Sequence, residues 1–179
     1  MKKFEEKTIN SKKIFEGRVI SVKVDEVTLP NGNISTRELV THPGAVAIIP
    51  ITNEGKIVLV EQYRKPLERS IIEIPAGKLE KGEKPEYTAI RELEEETGYG
   101  SKNFTFVQSF ATSPGFANEV IHVYAARDLY RIENPASLDE DEFVELLEVT
   151  LEEAEQMIRD ERIYDAKTVF AIMWMKNIF

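Results

Sequence analysis

Cysteine is absent from this 179-residue chain. Its absence excludes disulfides, thiolate metal sites and a cysteine nucleophile together, and agrees with a reducing compartment. No apolar run approaches the roughly 20 residues of a membrane-spanning helix. The opening residues Met1-Lys2-Lys3-Phe4-Glu5-Glu6-Lys7 are charged and lack the apolar stretch of a secretory signal, so a cytoplasmic location is expected. Basic clusters are also missing. Nucleic-acid binders usually carry such a footprint, and the net charge is −9, so neither nucleic acid nor membrane is an expected partner. An acidic protein can still handle phosphate anions when a divalent cation sits between the two negative partners.

Apolar residues are plentiful. They make up 42% of the chain, enough for the core of one compact domain, with or without a small appendage. Ile20, Val22 and Val24 alternate with Ser21, Lys23 and Asp25, the period-2 pattern of a half-buried strand. Leu29-Pro30-Asn31-Gly32-Asn33 signals a turn, and a second extended stretch follows through Arg37, Leu39 and Thr41. At best this is a two-stranded ribbon, which is marginal alone in water. The runs Ala45–Ile51 and Ile57–Val60, joined across Asn53-Glu54-Gly55, suggest a buried hairpin. Further strands are expected at Ser70–Ile74, Phe104–Phe110, Val120–Ala126 and Phe143–Val149.

A helix is predicted from Pro85 to Thr97, with Pro85 at its first position and Gly98 just past its end. Thr150 and Glu153 have capping-box spacing. Ala166, Val169, Phe170, Met173 and Trp174 recur at helical spacing and read as core packing. The product is an α/β fold: a mixed sheet with helices against it, preceded by a smaller antiparallel β segment. The boundary falls between residues 1–42 and 43–179.

Chemistry concentrates in Gly77–Tyr99, GKLEKGEKPEYTAIRELEEETGY. The predicted helix sets Glu92, Glu95 and Glu96 at i, i+3 and i+4, on one face and in its last turns. Like charges beside the negative end of a helix dipole cost about 0.3–1 kcal/mol, with a few tenths more for each like-charge pair. A hard divalent cation reverses both penalties, and oxygen ligands favour Mg²⁺ or Mn²⁺. Taken alone, the cluster could equally be a solvated acidic face, since Asp and Glu number 32.

The whole segment decides between them. Gly77, five residues, Glu83, seven residues, Arg91-Glu92-Leu93, one residue, Glu95-Glu96, one residue, then Gly98 and Tyr99 resembles the complete Nudix box. The one departure is Tyr99, where the pattern more often has an aliphatic residue. From Arg18 almost to the C-terminus the chain is similar to the ADP-ribose pyrophosphatase branch of the Nudix hydrolases. Glu61-Gln62-Tyr63-Arg64, Pro75-Ala76-Gly77 and Ser113-Pro114-Gly115 carry that similarity. It implies the α/β/α Nudix sandwich and metal-dependent hydrolysis of ADP-ribose to AMP and ribose 5-phosphate.

Site roles follow from the same resemblance. Glu92, Glu96 and the Ala76 carbonyl would bind metal, two or more ions per site, with Glu95 assisting and Arg91 orienting the helix. An acidic loop, Leu138-Asp139-Glu140-Asp141-Glu142, would supply the base Glu140 and the metal ligand Glu142; their spacing lets the two roles exchange. Arg64 would meet a phosphate or the terminal ribose, and Ser113, Pro114, Gly115 and Glu119 would grip the substrate. Arg18, Val19, Arg37 and Glu38 stand where similar enzymes lend contacts from a partner subunit, which implies a homodimer with exchanged N-terminal segments. For each arginine a plain surface role is the alternative. His42 and His122 read as structural. The rival functions are a broader nucleoside diphosphate sugar pyrophosphatase and a non-catalytic ADP-ribose-sensing module. The family's isoprenoid isomerase branch is disfavoured because its cysteine is missing.

Overall fold

Turn chemistry shapes the first strands of the computed structural model, which describes residues 3–138 and 143–178. β1 (Lys7–Glu16), β2 (Ser21–Thr28) and β3 (Ile34–Thr41) form an antiparallel sheet in that order. Between β2 and β3 the Asn31 side chain accepts the Asn33 N–H at 3.0 Å, and Gly32 takes the positive φ of 88° that the turn demands. The expected ribbon of two strands is therefore a sheet of three. β1 escapes a period-2 reading because its register with β2 slips between Thr8 and Asn10 and again between Lys13 and Phe15. Each slip reverses the alternation of faces. β1 is exposed along its whole length. It is fastened by buried Asp25 of β2, which accepts from Ser11 Oγ at 2.6 Å, Lys23 Nζ at 2.9 Å and Thr8 Oγ1 at 3.4 Å. These bonds, that of Ser11 foremost, hold the Asp25 carboxyl below its ordinary value.

Residues 1–44 form one compact unit together with residues 110–121. Inside it the 112–119 loop is laced to β3. Val40 N–H donates to Phe116 O at 2.8 Å, Asn118 N–H to Val40 O at 3.2 Å, and His42 N–H to the Asn118 side chain at 2.8 Å.

The second unit comprises residues 45–109 and 122–179. The remaining strands of the chain are β4 (Ala45–Pro50), β5 (Ile57–Arg64), β6 (Arg69–Glu73), β7 (Ala76–Lys78), β8 (Tyr99–Ala111), β9 (Val120–Arg131) and β10 (Glu145–Val149). They form two sheets, ordered β10-β5-β6 and β7-β4-β9-β8. The expected β4–β5 hairpin is not formed: the two strands lie in different sheets, and the turn between them is closed by an antiparallel bridge between Ile51 and Ile57. Pro50 ends β4 without an N–H for a ladder, and all six residues of β4 are buried. A strand buried on both faces looks the same in sequence whichever neighbours it pairs with.

α1 (Pro85–Thr97) has the predicted limits, with Pro85 at its start and Gly98 in the left-handed conformation at φ 67°. Ala89 and Leu93 press its apolar face onto Val46, Ile48 and Ala126. α2 (Leu151–Arg159) begins with the Thr150–Glu153 capping box as expected. α3 (Ala166–Lys176) corrects the expected core stripe. It buries Lys167, Thr168, Ala171, Ile172 and Met175, while Met173 is exposed and Val169, Phe170 and Trp174 are half-buried. The helix is apolar on several sides, and its rotation is fixed by Asp165 and Thr168, which bind at its N-terminus. Among the described residues no helix is long and apolar enough to cross a membrane.

Candidate active site

The arrangement begins at the passage from β6 to α1. After Glu73 the chain runs through Ile74-Pro75 into the short strand β7, and three hydrogen bonds hold it. Ile74 N–H donates to Thr168 Oγ1 at 2.9 Å, Ile48 N–H to Pro75 O at 2.8 Å, and Ala76 N–H to Glu96 Oε2 at 3.0 Å. The last bond ties the α1 carboxylate to the backbone of Ala76. Gly77 follows, and any Cβ there would overlap the carboxylate of Glu92. Glycine at this position permits the close approach of strand backbone and helix side chain.

Glu92 and Glu96 are buried, and Glu95 is half-buried. Arg91 collects the neighbouring charges: its guanidinium lies 2.7 Å from Glu95, 3.0 Å from Glu92 and 3.6 Å from Glu83. Burial alone would lower the Arg91 pKa, but the charges of Glu92, Glu95 and Glu83 and the Glu95 hydrogen bond outweigh it and raise it. Arg91 thus pairs with carboxylates along the helix face, and Glu95 turns toward it. Three carboxylates share this guanidinium, Glu96 stands one turn beyond Glu92, and Glu83 Oε2 is buried with no hydrogen-bond partner among the described residues. Such an excess of buried negative charge, carried on oxygen alone, fits a hard divalent cation. Among the described residues, however, no group of three or more acidic, histidine or cysteine side chains could hold the ion. Glu140 and Glu142, the expected base and further ligand, lie outside the described residues. Among the described residues, Gln62, Tyr63, Leu138, Phe143 and Glu145 are among those that line a depression of about 470 Å³; it shares no residue with the α1 cluster.

Arg64 closes β5 and is held by a group that the sequence reading missed. Its Nε and a terminal nitrogen bind both oxygens of buried Glu73, at 2.5 and 2.9 Å. Lys167 Nζ binds the same carboxylate and lies 3.0 Å from Asp165. The Glu73 bond, opposed by burial and aided by the charges of Glu73, Glu96 and Asp165, raises the Arg64 pKa. Glu73 could have been suspected beside Pro75-Ala76-Gly77, but Lys167 is 94 residues from Glu73, and no local pattern links them.

The other expected contacts lie in the first unit. Ser113 O accepts from Phe116 and Ala117 N–H at 3.1 and 2.9 Å, and so shapes the Ser113-Pro114-Gly115 turn. Glu119 binds Thr112 Oγ1 and lies 3.4 Å from His42 Nδ1. Arg37 is paired with Glu6 through bonds of 2.9 and 2.5 Å, while Glu38, Arg18 and Val19 are exposed. His122 is bonded to Ser109 at 2.7 Å.

The NUDIX domain model matches residues 41–170, and the nucleoside diphosphate sugar hydrolase N-terminal domain model matches residues 6–40. The chain belongs to the NUDIX family. It is therefore a hydrolase of α/β fold. It is 58% identical to the ADP-ribose pyrophosphatase of Bacillus subtilis (strain 168), over 98% of this chain and 95% of that protein. With the methanol dehydrogenase activator of Bacillus methanolicus it shares 64% identity over the same proportions. A crystal structure of an ADP compounds hydrolase superposes with a TM-score of 0.85 at 24% identity, covering 97% of this chain and 95% of that one, a likeness of fold.

Proposed function

We propose that this NUDIX hydrolase cleaves the pyrophosphate bond of ADP-ribose, giving AMP and ribose 5-phosphate. What carries this reading is identity of 58% to an ADP-ribose pyrophosphatase across nearly the whole chain, joined to the Gly77–Glu92–Ala76–Glu96 arrangement. Glu92, Glu96 and the Ala76 carbonyl would hold Mg²⁺ or Mn²⁺, two or more ions per site, with Glu142 completing the ligands. When bound, such ions offset the charge of the diphosphate and favour attack by water on phosphorus. Glu140 would accept the proton of that water. Arg91 keeps the α1 carboxylates in register, and Arg64 presents a cation to a substrate phosphate or the terminal ribose. Ser113, Pro114, Gly115 and Glu119 would contact substrate, and Arg18, Val19, Arg37 and Glu38 would serve a partner subunit. We read residues 1–42 as the dimerisation segment of a cytoplasmic homodimer.

Turnover of a panel of nucleoside diphosphate sugars, each with Mg²⁺ and with Mn²⁺, tests the substrate. ADP-ribose should give the highest kcat/KM; a flat profile would favour the broader pyrophosphatase. Retained binding without turnover would favour a sensing module. For the base, Glu140→Gln should lower kcat by about 10²–10⁴-fold with KM little changed. The same pattern in Glu142→Gln alone would exchange the two roles.

The Bacillus methanolicus relative supports a second reading, that the chain activates a dehydrogenase. Adding the chain to a methanol dehydrogenase should then raise its rate, and Glu96→Gln should abolish the effect if activation depends on hydrolysis.

A further inference from the structure

Four charged groups meet where β5, β6 and the start of α3 come together. Glu73 is 2% exposed, and the Lys167 side chain is 8% exposed. The Arg64 side chain retains 38% exposure. Asp165 caps α3, accepting from Thr168 N–H at 3.0 Å and Thr168 Oγ1 at 2.6 Å, and Thr168 Oγ1 in turn accepts the Ile74 N–H. The two carboxylates, Glu73 and Asp165, are balanced by Arg64, which reaches outwards, and by Lys167, which does not.

This division of labour has a consequence for Arg64. A guanidinium has five N–H groups, and the Glu73 contact engages two of them. Were Arg64 the sole counter-ion of buried Glu73 and half-buried Asp165, it would be drawn inwards and its charge largely cancelled. Because Lys167 neutralises part of that charge from the interior, Arg64 is oriented by Glu73 yet keeps positive potential for an anion at the surface. The same cluster fixes Ile74 N–H, two residues before Ala76.

We propose that Lys167 is a positioning residue of the hydrolase, acting through Glu73 to set the direction and effective charge that Arg64 offers to the substrate diphosphate. The proposal rests on the reading of Arg64 as a substrate contact. An arginine that binds the diphosphate alike in ground and transition states affects KM more than kcat.

The test is a double-mutant cycle on ADP-ribose hydrolysis. Lys167→Met should raise KM by about tenfold with kcat within about threefold, and Lys167→Arg, which restores the cation, should recover most of the loss. In an Arg64→Ala background, Lys167→Met should add no further rise in KM. An unchanged KM, or an equal rise with and without Arg64, overturns the proposal, since general loosening of the fold would be additive. If Lys167→Met fails to fold, Lys167→Gln replaces it, because its amide can still donate to Glu73. A second readout needs no substrate. The Arg64 Nε–H resonance, assigned by its loss in Arg64→Ala, should move downfield and exchange more slowly in the Lys167 variant as Glu73 binds Arg64 more tightly. If the wild-type chain does not hydrolyse ADP-ribose, the functional reading fails by itself. An unmoved resonance then still overturns the role given to Lys167.

Discussion

The carboxylate of Glu92 occupies the space that a side chain at Gly77 would need. Gly77→Ala must therefore displace Glu92, the far end of a flexible side chain, rather than rigid backbone. Stability should fall by less than the roughly 1–3 kcal/mol that overpacking a rigid core costs. Activity should drop by about 10–100-fold, the scale of a misplaced metal-site group. Thermal melts and initial rates on the same preparation separate the two effects. A large loss of Tm with proportionate loss of activity would show that Gly77 serves folding instead.

Glu96 binds the Ala76 N–H at 3.0 Å, and a glutamine oxygen there can accept the same bond. Glu96→Gln is thus expected to keep the fold and relieve charge repulsion. It should lose the stabilisation that a bound cation confers, about 2.7 kcal/mol at a hundredfold excess over Kd. Melting curves with Mn²⁺ and with chelator check this: the wild-type Tm should rise with the ion and the variant Tm should not. Equal rises in both proteins would remove Glu96 from the ligand set.

Tyr99, the departure from the usual box, is accounted for by its neighbours. Arg131 stacks on its ring at 3.8 Å, the Tyr99 hydroxyl bonds Glu148, and Arg131 also donates to Thr97 O at the end of α1. Tyr99→Phe keeps the stack and loses one partly exposed hydrogen bond, so it should cost near the low end of about 0.5–1.5 kcal/mol. Tyr99→Leu, which matches the commoner pattern, also loses the cation–π contact and should cost more. Denaturant titrations rank the two; the reverse order would mean that the Arg131 stack contributes less than an aliphatic side chain packed in its place.

What could be read in the sequence was local. Pro85 and Gly98 bracket α1, Thr150 and Glu153 cap α2, and the box spacing brings Arg91 to Glu92 and Glu95, because each depends on residues within a few turns. Long-range pairing escaped. β4 and β5 are uniformly apolar at their cores, so nothing in them shows that they enter separate sheets. Bulges scrambled the alternation of β1, and the Glu73–Lys167 pair joins distant segments. On α3 the large residues Phe170, Met173 and Trp174 suggested the core face, but the smaller Thr168, Ala171 and Ile172 occupy it.

Asp25 links stability to pH in the N-terminal sheet. Bonds from Ser11, Lys23 and Thr8 lower its folded pKa below the unfolded value. A group shifted this way contributes stability that is present above its unfolded pKa, near 4, and lost as pH falls through the lower folded pKa. Protection of the β1 amides, taken as exchange relative to the intrinsic rate at each pH, should therefore fall on acidification from about pH 4 downwards. Asp25→Asn should exchange faster at neutral pH and show a flatter acid limb. An identical limb in the variant would assign the effect to other carboxylates.

Arg37 and the exposed first strand bear on the proposed dimer. β1 is exposed throughout, and Ile9, Ile14 and Phe15 on it are each more than half exposed. An edge strand of this kind is a liability unless another surface covers it. A second copy of the chain would cover it and bring Arg37 to a neighbour's site. Within its own chain Arg37 pairs with Glu6 at 2.5 Å, so Arg37→Ala removes both that pair and any contact in trans. Glu6→Gln removes only the ion pair and serves as the control. Separately inactive Glu96→Gln and Arg37→Ala subunits, once mixed and exchanged, would form heterodimers with one site that has an intact carboxylate set and receives a wild-type Arg37. Activity should return toward about a quarter of the wild-type value, the yield of one competent site in half of the dimers under random exchange. Glu6→Gln alone should retain most activity. A monomer by sedimentation, or no recovery after exchange shown by subunit labelling, would confine Arg37 to the pairing with Glu6.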